Sequence, residues 1–187
     1  MKYAAAALLI ASAITGCKKE EDPIVPDPPV NEEEVITTMV LSFDNTGAGA
    51  DKELRFTDAD GDGGGVPVYH LDTLDDASVY NVSILLVNET ANPADTISNE
   101  VLNEGVDHQF FFQPAGVNIS YAYGDADANG NPIGLQSTMT TGAPSAGTLM
   151  VTLRHQPDKA AAGVSGGDIT NAGGETDIEV TFPVVIE

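Results

Sequence analysis

Ile178, Val180, Phe182, Val184 and Ile186 alternate with Asp177, Glu179 and Thr181, and a strict period of two fits an extended strand with one buried face. The same alternation recurs along the chain. Val35, Thr37, Met39, Leu41 and Phe43 form one side of a first strand, and Glu53 to Thr57 a short second one. Tyr80, Val82, Ile84 and Leu86 alternate against Asn81 and Ser83; Phe110 and Phe112 share a side of the next long candidate, followed by Ile119, Tyr121 and Tyr123. Leu149, Val151 and Leu153 alternate with Thr148, Thr152 and Arg154. Val66 to Leu71 is a further candidate. Pro67 has no N–H to give to a ladder, which assigns that segment to a sheet edge, and Pro183 calls for an edge or a bulge for the same reason. Only Ile97 to Gly105 reads as helical, with Ile97 and Val101 one turn apart and Gly105 placed to end the turn. Roughly seven to nine strands parted by Gly, Asn, Asp and Pro turns, with no helices repeated between them, predict an all-β fold of two packed antiparallel sheets. An immunoglobulin-like or related Greek-key sandwich is the expectation; a closed small barrel is the alternative, because the same alternation fills either interior.

The N-terminus reads differently. Met1, Lys2 and Tyr3 precede an apolar run from Ala4 to Ile14, too short to span a hydrocarbon core, and Ile14-Thr15-Gly16 leads directly into the chain's one cysteine, Cys17. This is the pattern of a bacterial lipoprotein signal: residues 1–16 are expected to be removed and Cys17 to carry a covalent lipid. With its thiol so used, the chain has no intrachain disulfide and must be held by packing or bound ions. Residues 17–34 hold Pro23, Pro26, Pro28 and Pro29 among many acids and lack apolar periodicity, so they are expected to form an extended tether from the membrane to one domain over residues 35–187.

Loss of residues 1–16 leaves 171 of the 187 residues, enough for one sizeable core. The whole chain has 29 acidic and 7 basic residues, a net charge of −22 that becomes −23 once Lys2 is lost. Such a charge repels nucleic acids and anionic lipid surfaces and favours cations and solubility.

Cations have two candidate sites. Asp58, Asp60, Asp62 and Gly63 follow D-x-D-x-D-G, and Asp125, Asp127, Asn129 and Gly130 repeat that spacing with an amide in third place. Carboxylates on alternate positions of a tight loop can converge on a hard ion, and calcium suits such oxygen donors better than zinc. Neither loop completes an EF-hand: the twelfth position, where a bidentate Glu belongs, is Tyr69 in one and Gln136 in the other. Asp51, Asp72 or Asp75 would have to complete a shell. Asp, Asn and Gly also build plain polar turns, the alternative for both loops. His70, His108 and His155 lie in or beside candidate strands, where a metal triad or general-base role competes with that of polar strand ends. The chain has no G-x-S-x-G, P-loop or H-E-x-x-H motif. The Gly163 to Gly174 passage lacks the context of a nucleotide loop and reads as a mobile β connection. Of Phe110, Phe111 and Phe112, two rings are expected in the core and one is free to sit on a surface, although the lack of tryptophan weakens a sugar-stacking reading.

The segments Gly16-Cys17, Asn31 to Glu34, Asp58 to Gly65, Asp107-His108-Gln109-Phe110-Phe111, Leu153-Arg154-His155-Gln156-Pro157 and Gly173 to Phe182 resemble, over nearly the whole chain, small acidic lipoproteins of Flavobacteria and other Bacteroidota that go under the name “type 1 periplasmic binding fold superfamily protein”. The resemblance implies an outer-membrane lipoprotein on the periplasmic or cell-surface face and supplies no known catalytic function. Lys18-Lys19-Glu20-Glu21-Asp22 is similar to their surface-export signals, and Asp72-Thr73-Leu74 and Asp95-Thr96-Ile97 to their O-glycosylation motif. The fold in that name is two α/β lobes; each βαβ unit needs a crossover of a dozen or more residues, which this chain does not offer, so the sandwich expectation stands. Two functions remain open. One is a noncatalytic membrane-anchored accessory or adhesion module with an envelope-protein or glycan partner, betrayed by an exposed sheet edge or apolar patch. The other is a calcium- or small-molecule-binding lipoprotein, betrayed by a deep pocket with convergent polar groups.

Overall fold

Nine strands, one short α-helix and two 3-10 turns make up the described chain, in the order β1 (Thr38–Asn45), β2 (Lys52–Thr57), β3 (Val68–Leu71), β4 (Val79–Val87), α1 (Ile97–Asn103), β5 (His108–Ala115), β6 (Ile119–Tyr123), β7 (Gln136–Thr141), β8 (Ser145–His155), the turns Val164–Gly166 and Ile169–Asn171, and β9 (Glu175–Ile186). The computed structural model describes residues 35–61 and 63–187. The signal segment, Cys17, the tether to Glu34 and Asp62 lie outside the described residues.

The strands pair antiparallel into a six-stranded sheet, order β3-β2-β1-β4-β7-β6, and a three-stranded sheet, order β5-β8-β9. The order β3-β2-β1-β4 is a Greek key: three strands joined by successive hairpins, with the fourth returning beside the first. The fold is thus an all-β sandwich. Between the sheets the predicted faces meet: Met39, Leu41 and Phe43 from β1, Tyr80, Val82, Ile84 and Leu86 from β4, Phe110 and Phe112 from β5, Leu149, Val151 and Leu153 from β8, and Val180, Phe182, Val184 and Ile186 from β9 are buried in one core. Burying each such side chain is worth about 1.5–3 kcal/mol. Pro183 falls on β9, an edge strand, and Pro67 just precedes β3, also an edge, as their missing N–H requires.

Both flanks of the sandwich are bridged. On one, the β6–β7 connection feeds Ile133 and Leu135 into the core while the Ile133 and Leu135 carbonyls accept from the N–H groups of Phe110 and Ile84. On the other, Leu74 after β3 exchanges backbone hydrogen bonds with the end of β9, accepting from Glu187 and donating to Val185. Strand β7 escapes the alternation rule because its inward residues are Ser137, Met139 and Thr141, of which only Met139 is apolar. The glycine-rich passage expected only as a mobile connection is packed: Val164 and Ala172 are fully buried against Phe111 on the outer face of the smaller sheet, with Ala161 and Ile169 at the margin. The third phenylalanine ring is therefore covered rather than displayed.

Candidate functional site

The two Asp-rich loops are organised by their own backbone. In the first, the Asp60 carboxylate accepts from the N–H of Gly65 at 3.0 Å, and the Asp58 N–H donates to the Thr37 carbonyl at 2.7 Å. In the second, Asp125 accepts from the N–H groups of Gly134 and Gln136, and Asp127 Oδ1 from those of Asn129 and Asn131. The Asp60 and Asp127 bonds are local turn bonds of the kind short acidic side chains make, and those of Asp125 tie the start of its loop to the residues leading into β7. The carboxylates suggested as distant ligands also have protein partners: Asp51 accepts from the Asn45 N–H, Asp72 from the Glu53 N–H, and Asp75 pairs with Lys52 at 3.0 Å.

Asp127 has a further partner that the sequence did not reveal. Lys159, in the β8–β9 connection, reaches its Oδ2 at 3.0 Å, with the lysine side chain 5% exposed and that of Asp127 1%. The same ammonium donates to the carbonyls of Gly105 and Pro132, so all three donors are used. One lysine thereby joins the α1–β5 turn, the β6–β7 connection and the β8–β9 connection at one end of the sandwich. Burial pushes the Asp127 carboxyl up, but the Lys159 ammonium and the Asn131 and Asn129 N–H groups outweigh it and hold it below its ordinary value of 3.8. A calcium ion at this loop would have to compete with that ammonium for Asp127.

At the same end, two of the three histidines come together. His108 opens β5 and His155 closes β8, and the two are register partners. His108 follows the phase of Phe110 and Phe112, and His155 that of Leu153 and Val151, so both lie on the core-facing side of the smaller sheet. Their rings stack with centroids 4.7 Å apart and planes 22° from parallel. The β8–β9 register slips between Leu153, paired with Ile178, and Arg154, paired with Thr176. Asp177 is the residue left over, and a bulge of this kind re-aims its side chain. The carboxylate turns under the histidines: Oδ2 lies 3.7 Å from His108 Nε2 and Oδ1 3.8 Å from His155 Nδ1. Backbone geometry fixes the corner. Gln156 has φ +50° directly after His155, and Gly173 and Gly174 have φ +59° and +69° before β9; Gly174 lies against the His155 and Gln156 carbonyls, where a Cβ would collide.

His70 sits apart on β3, with a side chain 61% exposed and 3.5 Å from Asp72. Neither Asp58 nor Asp125 belongs to the converging histidine group, whose acid is Asp177. In the sequence Asp177 reads only as an alternating strand residue, and Lys159 belongs to no motif. The signal for the lysine was a lone cation inside an Ala- and Gly-rich stretch; the bulge at Asp177 had none.

Tyr121 and Tyr123 close the flank between β5 and β6, Tyr123 donating to the Phe110 carbonyl at 2.7 Å. Burial pushes both phenols above their ordinary value. A groove of about 450 Å³ beside β6 and β7 is lined by Val117, Asn118, Ile119, Ser120, Thr140, Thr141 and Gly142, none of them titratable. Across the six-stranded sheet, β3 has no strand partner on one edge among the described residues, and Val66, Val68, Tyr69 and Leu71 are exposed along it. Among the described residues, no helix is long and apolar enough to cross a membrane. No family model, curated protein or solved structure matches this chain.

Proposed function

We propose that this chain is a noncatalytic, membrane-anchored accessory or adhesion lipoprotein of the outer membrane, tethered through lipid on Cys17 and presenting its sandwich to an envelope or surface partner. The observation that carries the reading is the open β3 edge. A strand that no other strand of the described residues covers on one side, flanked by exposed Val66, Val68 and Leu71, is a template onto which an extended segment of another protein can add. The net charge of −22 favours a partner segment carrying Lys or Arg. Resemblance to small acidic Bacteroidota lipoproteins supports the same placement.

The test is photo-crosslinking in the native envelope from a reactive residue at position 68, with an equivalent probe at exposed Leu102 of α1 as control. The reading expects one discrete adduct from position 68, absent from position 102 and lost on Val66→Lys with Leu71→Lys. Equal adducts from both positions, or none from position 68, would overturn the edge as the working surface.

A further inference from the structure

We infer that His108, His155 and Asp177 form a binding site for a first-row divalent transition metal, with zinc the best match. One donor atom from each residue lies within 4.8 Å of the other two. The carboxylate-to-imidazole distances of 3.7 and 3.8 Å are too long for hydrogen bonds. They are close to the separation of about 3.3 Å that two ligands adopt around a tetrahedral ion with bonds of about 2.0–2.1 Å. The two distances run to different oxygens of one carboxylate, and the three donor atoms lie within 4.8 Å of one another, so a single ion gathers them by rotation of the Asp177 carboxylate and of His155, closing the widest pair by up to about 1.5 Å.

The hydrogen bonding of His108 orients it for a metal. His108 Nδ1 lies 3.1 Å from the Glu104 carbonyl oxygen. A carbonyl only accepts, so Nδ1 donates; in the neutral ring the Nε2 lone pair is then directed toward Asp177. Fixing a ligating imidazole through its other nitrogen to a backbone carbonyl is the usual outer support of a metal site. The Glu104 carbonyl is itself held in place, because the next residue, Gly105, is bound by Lys159, and the Gln156 N–H donates to Asp107. His155 is the most exposed member. Its side chain is 18% exposed while those of His108 and Asp177 are 1% and 4%, so an ion and a fourth ligand, water, enter on its side. The ring planes lie 22° from parallel, and His155 turns about its χ2 to bring Nδ1 onto the ion.

The ligand set selects the metal. Two imidazoles and one carboxylate suit zinc and its neighbours, whereas calcium prefers six to eight oxygens. The site is separate from both Asp-rich loops and from the β3 edge.

Full-length protein in detergent, stripped with a chelator, is titrated calorimetrically with zinc alone and with calcium alone. The expected result is one zinc equivalent bound, a higher thermal midpoint with zinc, and tetrahedral d–d absorption when cobalt replaces zinc. His155→Gln, at the most exposed ligand, weakens zinc at least tenfold while the metal-free midpoint reports that the fold is kept; Asp177→Asn weakens it likewise; His70→Gln does not. Absence of saturable zinc binding, zinc binding unchanged in His155→Gln, or loss of binding in His70→Gln would overturn the site. Tighter binding of calcium than of zinc would overturn the choice of metal.

Discussion

Lys159 is buried although it carries a charge. Its ammonium is buried with one carboxylate and two carbonyls, and removing one member of a buried pair leaves the other ion without compensation. Lys159→Met is therefore expected to lower unfolding free energy by about 3–5 kcal/mol in urea titrations, and adding Asp127→Leu to recover part of that loss. A double variant no better than the single would contradict the pairing. The same pair sets an acid limit. Because the folded Asp127 carboxyl lies below 3.8, its contribution is complete above about pH 5 and disappears as pH falls through the folded value. Replacing Asp127 with Asn should flatten the dependence of stability on pH in that window and leave it unchanged near pH 7.

At the scale of elements, the strands with apolar alternation were legible because period-two burial needs no knowledge of the partner strand. Strands β4, β8 and β9 bury the faces that the sequence assigns to them, and α1 buries Ile97 and Val101 as its spacing implies. Strand β7 was not legible: its inward Ser137 and Thr141 are polar, and its place in the sheet comes from pairing with β4 and β6, which leaves no apolar alternation in the sequence. The histidine pair was illegible for a related reason. Their meeting depends on the β5–β8 register, and that of Asp177 on a one-residue slip in β9, neither of which leaves a local pattern. The Asp-rich spacing was legible as loops, whose capping bonds the structure supplies. Phe111 tests the account of the β8–β9 connection. Phe111→Ala should cost about 3–5 kcal/mol and raise amide exchange across residues 161–172 more than in β1; uniform acceleration throughout would contradict a connection held by that ring.

For the whole molecule, a charge of −22 on 187 residues means that folding gathers like charges. Raising ionic strength from about 10 mM to about 150 mM shortens the screening length from about 30 Å to about 8 Å. The thermal midpoint should therefore rise with sodium chloride, and a fall would show that exposed ion pairs outweigh repulsion. The sandwich needs no disulfide: its core is closed at both flanks by backbone bridges and at one end by Lys159. The proposed function assigns Cys17, the chain's one cysteine, to the anchor. The most direct measurement of that claim is the intact mass, with N-terminal peptide fragmentation, of protein extracted from its native membrane. The account predicts a chain beginning at Cys17 and carrying acyl groups there; a chain that retains residues 1–16 with Cys17 as a free thiol would contradict it.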